Sequence, residues 1–514
     1  MKKMLTVKEV AKLWNIPDSL VTRYCRAGRV PGAEKFGRAW MIPAGTAKPE
    51  DRRVFREEIT YGEERQLPLP IGVSNYCEAS TDYYYIDKTL LIKEILDEMP
   101  KVSLFTRPRR FGKTLNMDML RVFFEKSDED TSVYFLDKKI WTSGPMYREY
   151  QGKYPVIFLT FKDVKKESWQ DAQILLMQLI RMEYQRHKVL ENIPLVSDKE
   201  YYQRMVTGDL DPALLESSVQ ILSKMLHEHY GVPAIIIIDE YDTPIQQGYT
   251  RGYYEHAVLF MRNFFSGAFK DNKHLAFGFL TGILRVAKES IFSGLNNLTV
   301  NSVLDSHYST HFGFTLEEVK RIAEYYGASD KMEEICDWYD GYRFGETEIF
   351  NPWSVINYFA RDCEPRAYWV STGSTDIIQE LLAEADEEIQ ENLTSLVEGK
   401  TVLTQIDTSV IYPQIRNNPF SIYSFLVVTG YLKVENSIHS IFGDTMYEVA
   451  LPNKEITWVY RKEILQHFSA MIPQSTVVHI QYAMHTGDTE KLKAMIQKLL
   501  TQSVSYFDTA SEGF

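Results

Sequence analysis

The sequence predicts an α/β fold: a parallel sheet core with helices around it, a mainly helical C-terminal portion, and a small N-terminal unit of two helices and a hairpin. Three observations predict it. Short apolar runs at Val102–Thr106, Val156–Phe161, Ala234–Ile238 and Phe277–Thr281 alternate with helical or loop stretches, the pattern of parallel strands buried on both faces. Past about Asn301 helical periodicity takes over, at Leu316–Tyr326, Met332–Tyr339, Trp353–Ala360 and Asp376–Ala385. The pattern mixes again around Phe420–Val434 and Tyr447–Pro452, and Lys491–Leu500 is one more amphipathic helix. Charge is also split: residues 1–48 hold ten Lys/Arg against three Asp/Glu, a surplus of +7, so the total of −13 leaves −20 for the remainder.

At the N-terminus, Thr6 followed by Glu9 is a capping box opening a helix with Val7, Val10, Ala11 and Trp14 on one face. Pro17 and Asp18 restart the chain into a second helix, Ser19 to Ala27, that buries Leu20, Val21 and Tyr24, leaves Arg23 and Arg26 outward and ends at Gly28. Val30 to Pro43 reads as a hairpin wing. These patterns divide the chain into a basic unit 1–48, a polar linker 49–70, an α/β core 71–300, a helical and winged-helix-like portion 301–455, and a helical tail 456–514.

Composition excludes several classes. Cys25, Cys77, Cys336 and Cys363 are scattered without C-x-x-C spacing, so neither a disulfide framework nor a zinc knuckle is expected and a reducing cytoplasm fits. The start MKKMLTVKEV lacks the apolar stretch of a signal peptide, and no run reaches the roughly 18 apolar residues of a membrane span. Secretion and a membrane partner are not expected.

The chemistry-bearing motif follows the first apolar strand. Arg107-Pro108-Arg109-Arg110-Phe111-Gly112-Lys113-Thr114 leads into a helix from Leu115 to Glu125. Strand, loop and helix N-terminus in that order supply backbone N–H donors and a positive dipole end to an anion. Lys113 would reach the β- and γ-phosphates of a nucleotide, and the Thr114 hydroxyl would bind Mg²⁺. Gly-Lys-Thr alone is a weak signal, and Arg107 stands where a P-loop has its first glycine, with Pro108 holding it extended. Arg107, Arg109 and Arg110 are therefore candidate charges for phosphates or for a neighbouring carboxylate, beside Phe111, Gly112 and Leu115 of the same cradle. The second half is Ala234-Ile235-Ile236-Ile237-Ile238-Asp239-Glu240, a buried strand ending in two acids where α/β ligand sites form. Asp239 would hold Mg²⁺ and Glu240 would polarise the attacking water. Strands that end in solvated acids are common, but both motifs in this order point to ATP with Mg²⁺ on a P-loop NTPase core.

Residues Ile71 to Asn453 resemble the bacterial AAA-ATPase-like family of P-loop proteins, often joined to a C-terminal PD-(D/E)XK nuclease-like domain. The resemblance rests on Tyr85–Thr89, Arg107–Thr114, Ile238–Asp242, Leu280–Arg285, Ser290–Asn297, Trp338–Gly345 and Asn351–Ser354. It implies that the replaced first glycine at Arg107 is a family feature. It implies further that Thr281 is a polar sensor of the γ-phosphate, that Arg285 is a charge-neutralising arginine, and that Tyr85 to Thr89 contact the base or the loop, whereas Arg343 is structural.

Residues 1–48 look like the excisionase or MerR-type winged helix-turn-helix. That likeness implies double-stranded DNA as a partner, with Arg23 and Arg26 facing bases or phosphates in the major groove, Lys35 and Arg38 in the wing, and Trp40 in the core. At the other end, Ser505–Asp508 and Glu512–Phe514 look like the entry into the nuclease-like domain, with no metal-holding D…E-x-K set, since Glu318-Val319-Lys320 falls in a helix. No nuclease activity is expected of this polypeptide. The expected function is an ATP-binding, ATP-hydrolysing conformational switch on DNA, in mobile-element or defence biology, with a protein partner or a second copy as a further contact. The opposing class is a non-enzymatic DNA-bound regulator or scaffold in which nucleotide only stabilises the fold.

Overall fold

The computed structural model describes residues 4–14, 21–22, 24–25, 30–36, 39–48, 66–192, 196–208, 212–285, 291–292, 295–369, 387–415, 419–439, 444–471 and 474–503. At the N-terminal end, β1 (Met4–Thr6), β2 (Glu34–Phe36) and β3 (Ala39–Pro43) form an antiparallel sheet in the order β1-β3-β2. The capping box closes as expected: Thr6 N–H donates to the Glu9 carboxylate at 2.8 Å and Glu9 N–H donates to the Thr6 hydroxyl at 3.4 Å. Val10, Ala11, Val21, Tyr24, Cys25, Val30 and Ile42 gather into a small core of their own. Most of the expected second helix lies outside the described residues, and so do Arg23, Arg26 and Arg38. Lys35 sits exposed on β2, opposite Trp40.

The central sheet has five parallel strands: β4 (Val102–Thr106), β5 (Val156–Thr160), β6 (Ala234–Asp239), β7 (Leu275–Gly282) and β8 (Leu298–Asn301), in the order β5-β6-β7-β4-β8. Every residue of β4 and β6 is buried, which is why Ala234–Ile238 reads as an unbroken apolar run and β4 is apolar but for Ser103 and Thr106. The strand β8 was not anticipated: four residues, Leu-Thr-Val-Asn, give too short a period to register. The strand β7 lies between β4 and β6, so the ends of the two motif-bearing strands flank the end of a third.

Beyond β8, the helices Leu316–Tyr325, Met332–Tyr339 and Pro352–Ala360 build a second core from Val319, Ile322, Ile335, Tyr339, Val355 and Tyr358. Here β9 (Tyr342–Phe344) pairs with β10 (Thr347–Ile349), and β11 (Val402–Thr404), β12 (Lys433–His439) and β13 (Thr445–Ala450) form an antiparallel sheet in the order β11-β13-β12. The expected helix Asp376–Ala385 and the segments Ser505–Asp508 and Glu512–Phe514 fall outside the described residues. The end of the expected linker is already packed. Leu69 is buried in the second core, and Tyr84 N–H donates to the Pro68 carbonyl at 2.9 Å.

Candidate functional site

The loop between β4 and the helix Lys113–Phe124 is bent by two left-handed residues, Arg110 at φ 71° and Gly112 at φ 79°. Gly112 takes that conformation without steric cost. For Arg110 the conformation is strained, and its guanidinium lies over Trp353, 3.8 Å from the ring centroid. The first helical amides, from Lys113 on, have no acceptor within the helix and face the loop, as at any helix start.

Two hydroxyls and two acids meet at the strand ends. Thr114 donates to the Asp239 carboxylate at 2.8 Å across 125 residues of sequence, and Thr281 donates to the other Asp239 oxygen at 2.6 Å. Thr281 also accepts the Glu240 N–H at 3.3 Å, and Thr160 reaches Asp239 at 3.3 Å. Burial pushes the Asp239 carboxyl above its ordinary value and neighbouring Glu240 adds to this, while the Thr281 and Thr114 hydroxyls and Lys113 pull it down. Glu240 is held in the left-handed region at φ 52°. The Lys113 ammonium rests on the carbonyls of Arg107 and Pro108, both at 3.1 Å, and lies 3.5 Å from the Glu240 carboxylate.

A pocket of about 330 Å³ opens here. Gly112, Lys113, Thr114, Leu115, Arg110 and Glu240 line one part, and Leu69, Pro70, Val73, Tyr84, Tyr85, Ile86, Phe314, Trp353 and Ile356 supply an apolar and aromatic wall. One region of fixed donors with an acid, beside an apolar wall, suits a ligand that is anionic at one end and a flat ring at the other. Lys88 is buried in this lining, donating to Glu318 at 2.6 Å and to the Thr310 carbonyl at 2.8 Å, its ammonium pKa lowered by burial against the opposing Glu318 charge.

The arginines part company. Arg107 is fully buried beneath the loop, where it donates to the carbonyls of Thr106 and Asn301 at 2.9 and 2.7 Å, with Phe312 and Phe344 on its guanidinium. Burial lowers it to about 10, opposed by Asp305. Its side chain therefore braces the loop from behind, and only its carbonyl faces Lys113, a correction to its reading as a phosphate-facing charge. Arg109 turns to Gln246 at 3.1 Å, outside the pocket lining, and Phe111 is a core anchor against Tyr342 and Phe344. Of the three arginines, Arg110 alone lines the pocket, and Phe111 also borders it. Arg285 is half-buried just past β7 and outside the lining. Arg343 donates to the Glu435 carbonyl at 2.8 Å and pairs with Glu346. Glu318 caps its own helix through the Thr315 box, so the Glu318-Val319-Lys320 triplet is helical.

Sequence reading missed Trp353, Phe314, Glu318 and Asn116 as neighbours of the loop. Asn116 donates to the His311 carbonyl at 2.9 Å, and Trp353 and Phe314 come from helices and turns more than 190 residues downstream, so no local spacing could have signalled them.

Residues 70–292 match the family model of predicted AAA-ATPases, AAA-ATPase-like. An uncharacterized protein in the vnfD 5′ region of Azotobacter chroococcum mcd 1 is 26% identical over 392 residues, covering 76% of this chain and 68% of its own length. The matched span holds the Arg107–Thr114 loop, Asp239, Glu240 and Thr281, and the likeness supports an ATP-binding P-loop protein. Among the described residues no helix is long and apolar enough to cross a membrane.

Proposed function

We propose that this chain binds ATP with Mg²⁺ in the pocket above β4 and hydrolyses it, using the cycle as a conformational switch on double-stranded DNA. The observation that carries the reading is the 2.8 Å hydrogen bond from Thr114 to Asp239, which joins the two halves of the motif. A divalent ion bound between these two groups would neutralise charge building up between the β- and γ-phosphates. Lys113 would exchange its two loop carbonyls for phosphate oxygens, and the free amides of its helix would take the remainder. Glu240 would accept the proton of the attacking water. Thr281, bonded to both Asp239 and the Glu240 amide, would hold the two acids in register. Arg110 would add charge from the pocket side, and Arg285, past the end of β7, from beyond it.

The switch reading is supported by contacts of the loop with the C-terminal portion. Arg110 lies on Trp353, and the Trp369 indole donates to the Arg109 carbonyl at 3.4 Å. A loop that tightens on phosphates would shift both partners. The DNA reading rests on the +7 charge of residues 1–48 and on exposed Lys35, with Arg23, Arg26 and Arg38 as the other contacts. A cytoplasmic setting fits four cysteines that are all free thiols.

The test is melting temperature with ATP and Mg²⁺ beside steady-state phosphate release, with and without duplex DNA. Wild type should be stabilised by about 2.7 kcal/mol at a ligand concentration 100-fold above Kd. Lys113→Ala should lose most of that stabilisation, and Glu240→Gln should keep it and lose turnover. Stabilisation without turnover in the wild type would favour the non-enzymatic regulator or scaffold, and equal stabilisation of Lys113→Ala would place the nucleotide elsewhere.

A further inference from the structure

Asp242 stands three residues past Asp239, 2% exposed and away from the pocket lining. One of its carboxylate oxygens accepts two successive backbone amides, Ile283 at 2.8 Å and Leu284 at 2.9 Å, from the turn that follows β7. Its neighbour works on the same turn: Tyr241 N–H donates to the Thr281 carbonyl at 2.9 Å, and its hydroxyl donates to the Leu284 carbonyl. Gly282 lies flush in this clamp, where a Cβ would stand 2.6 Å from the Tyr241 ring and 2.8 Å from the Asp242 carboxylate. The Gly282 carbonyl in turn accepts the Arg107 N–H at 3.2 Å, the first residue of the phosphate loop. The Asp242 carbonyl accepts the Gln246 N–H at 2.9 Å, and the Gln246 side chain holds Arg109 at 3.1 Å.

A buried carboxylate that binds two amides is a rigid staple, since releasing either amide would leave buried polar groups unpaired. What this staple fixes is the end of β7, where Thr281 must face both Asp239 and the Glu240 amide. We infer that Asp242, aided by Tyr241, is a positioning residue for turnover: by clamping the Gly282–Leu284 turn it sets Thr281 against the Asp239–Glu240 pair and fixes where Arg285 leaves the strand. The inference rests on the ATPase reading above and adds to it a residue that touches neither nucleotide nor metal. It separates binding, which belongs to the loop and its helix, from turnover, which depends on the register between β6 and β7.

The experiment measures kcat, KM and ATP-dependent melting for wild type, Asp242→Ala, Asp242→Asn and Tyr241→Phe, with Glu240→Gln as the turnover-dead control. Asp242→Ala should lower kcat at least tenfold while the Kd for ATP stays within threefold. Asp242→Asn keeps an oxygen for the two amides and should recover at least a third of wild-type kcat. Tyr241→Phe keeps the ring and removes only its hydroxyl, so kcat should fall about threefold; it carries the test if Asp242→Ala does not fold. Undiminished kcat in Asp242→Ala or, failing that variant, in Tyr241→Phe overturns the inference, as does an Asn variant no better than Ala. Wild type that releases no more phosphate than Glu240→Gln sinks the ATPase reading and the inference with it, whereas normal wild-type turnover with undiminished mutants sinks the inference alone.

Discussion

Glu455 offers the sharpest test of how the C-terminal portion is built against the phosphate loop. It sits at the start of the helix Lys454–Met471 with no solvent exposure, accepting the Ser354 hydroxyl and the Trp369 N–H, both at 2.8 Å. Burial pushes its carboxyl up to about 7 from an ordinary 4.5, against the two hydrogen bonds and the nearby Arg110 guanidinium. The native state therefore holds a proton between pH 4.5 and 7 that the unfolded chain has released, so stability falls as pH rises through that window. At about 1.36 kcal/mol per unit, the loss amounts to about 3 kcal/mol, complete above pH 7. Glu455→Gln keeps the shape and never ionises. The melting-temperature difference between variant and wild type should be smallest at pH 5 and reach about 3 °C in favour of the variant at pH 8, taking about 1 °C per kcal/mol for a chain of 514 residues. The assay is thermal unfolding across pH 5 to 8 at fixed ionic strength. A difference that does not vary with pH would mean that Glu455 is ionised throughout, and the argument from its burial would be wrong.

Other substitutions separate bracing from binding. Arg107→Met should cost about 2–4 kcal/mol of stability, because the Thr106 and Asn301 carbonyls each lose their buried guanidinium donor, while the Kd for ATP measured on folded protein stays within threefold; a selective loss of ATP affinity would restore Arg107 as a phosphate ligand. Thr281→Val removes one hydroxyl at constant volume and should lower kcat about tenfold or more with little change in ATP-dependent melting. Deleting residues 1–48 should abolish duplex binding and leave the nucleotide-dependent melting shift intact, and Lys35→Ala should weaken binding evenly across DNA sequences and flatten its salt dependence. A deletion that binds duplex as tightly as the whole chain would move the DNA site into the acidic body.

How much of this was readable beforehand depended on where the determining contacts lie in the chain. The four long strands were legible because a strand buried on both faces is apolar at most positions, and Ala234-Ile235-Ile236-Ile237-Ile238 leaves no alternative of that length between its turns. Helices were legible from their apolar periodicity at Leu316–Tyr326 and Trp353–Ala360, and the structure adds the caps Thr315 with Glu318 and Asn351, which that periodicity does not show. The strand β8 was not, because its place is set by pairing with β4 at Val102–Phe105, almost 200 residues earlier, and not by its own four side chains. The packing of Gln66–Pro70 was hidden for the same reason: a polar, proline-bearing stretch reads as a linker until Tyr325 and Tyr326 are seen to bond Leu67.

Arg107 shows the limit most clearly. From the sequence its charge, its place in the loop and the missing glycine all argued for phosphate. Its actual surroundings, Asn301 at the end of β8 and the rings of Phe312 and Phe344, come from segments that no spacing rule ties to the loop. Without a glycine the loop cannot start with the usual tight approach to its ligand, and the side chain that replaces it turns away to fasten β4 to β8. The loop then gains its curvature further on, at Arg110 and Gly112, and Arg110 lines the pocket with its guanidinium over Trp353, another residue of the pocket wall. A phosphate drawn toward Arg110 must compete with that stacking. Replacing Trp353 with Leu, which keeps an apolar side chain and removes the π face, should free the guanidinium and tighten ATP binding, whereas weaker binding would mean that Trp353 contacts the nucleotide more than it restrains Arg110.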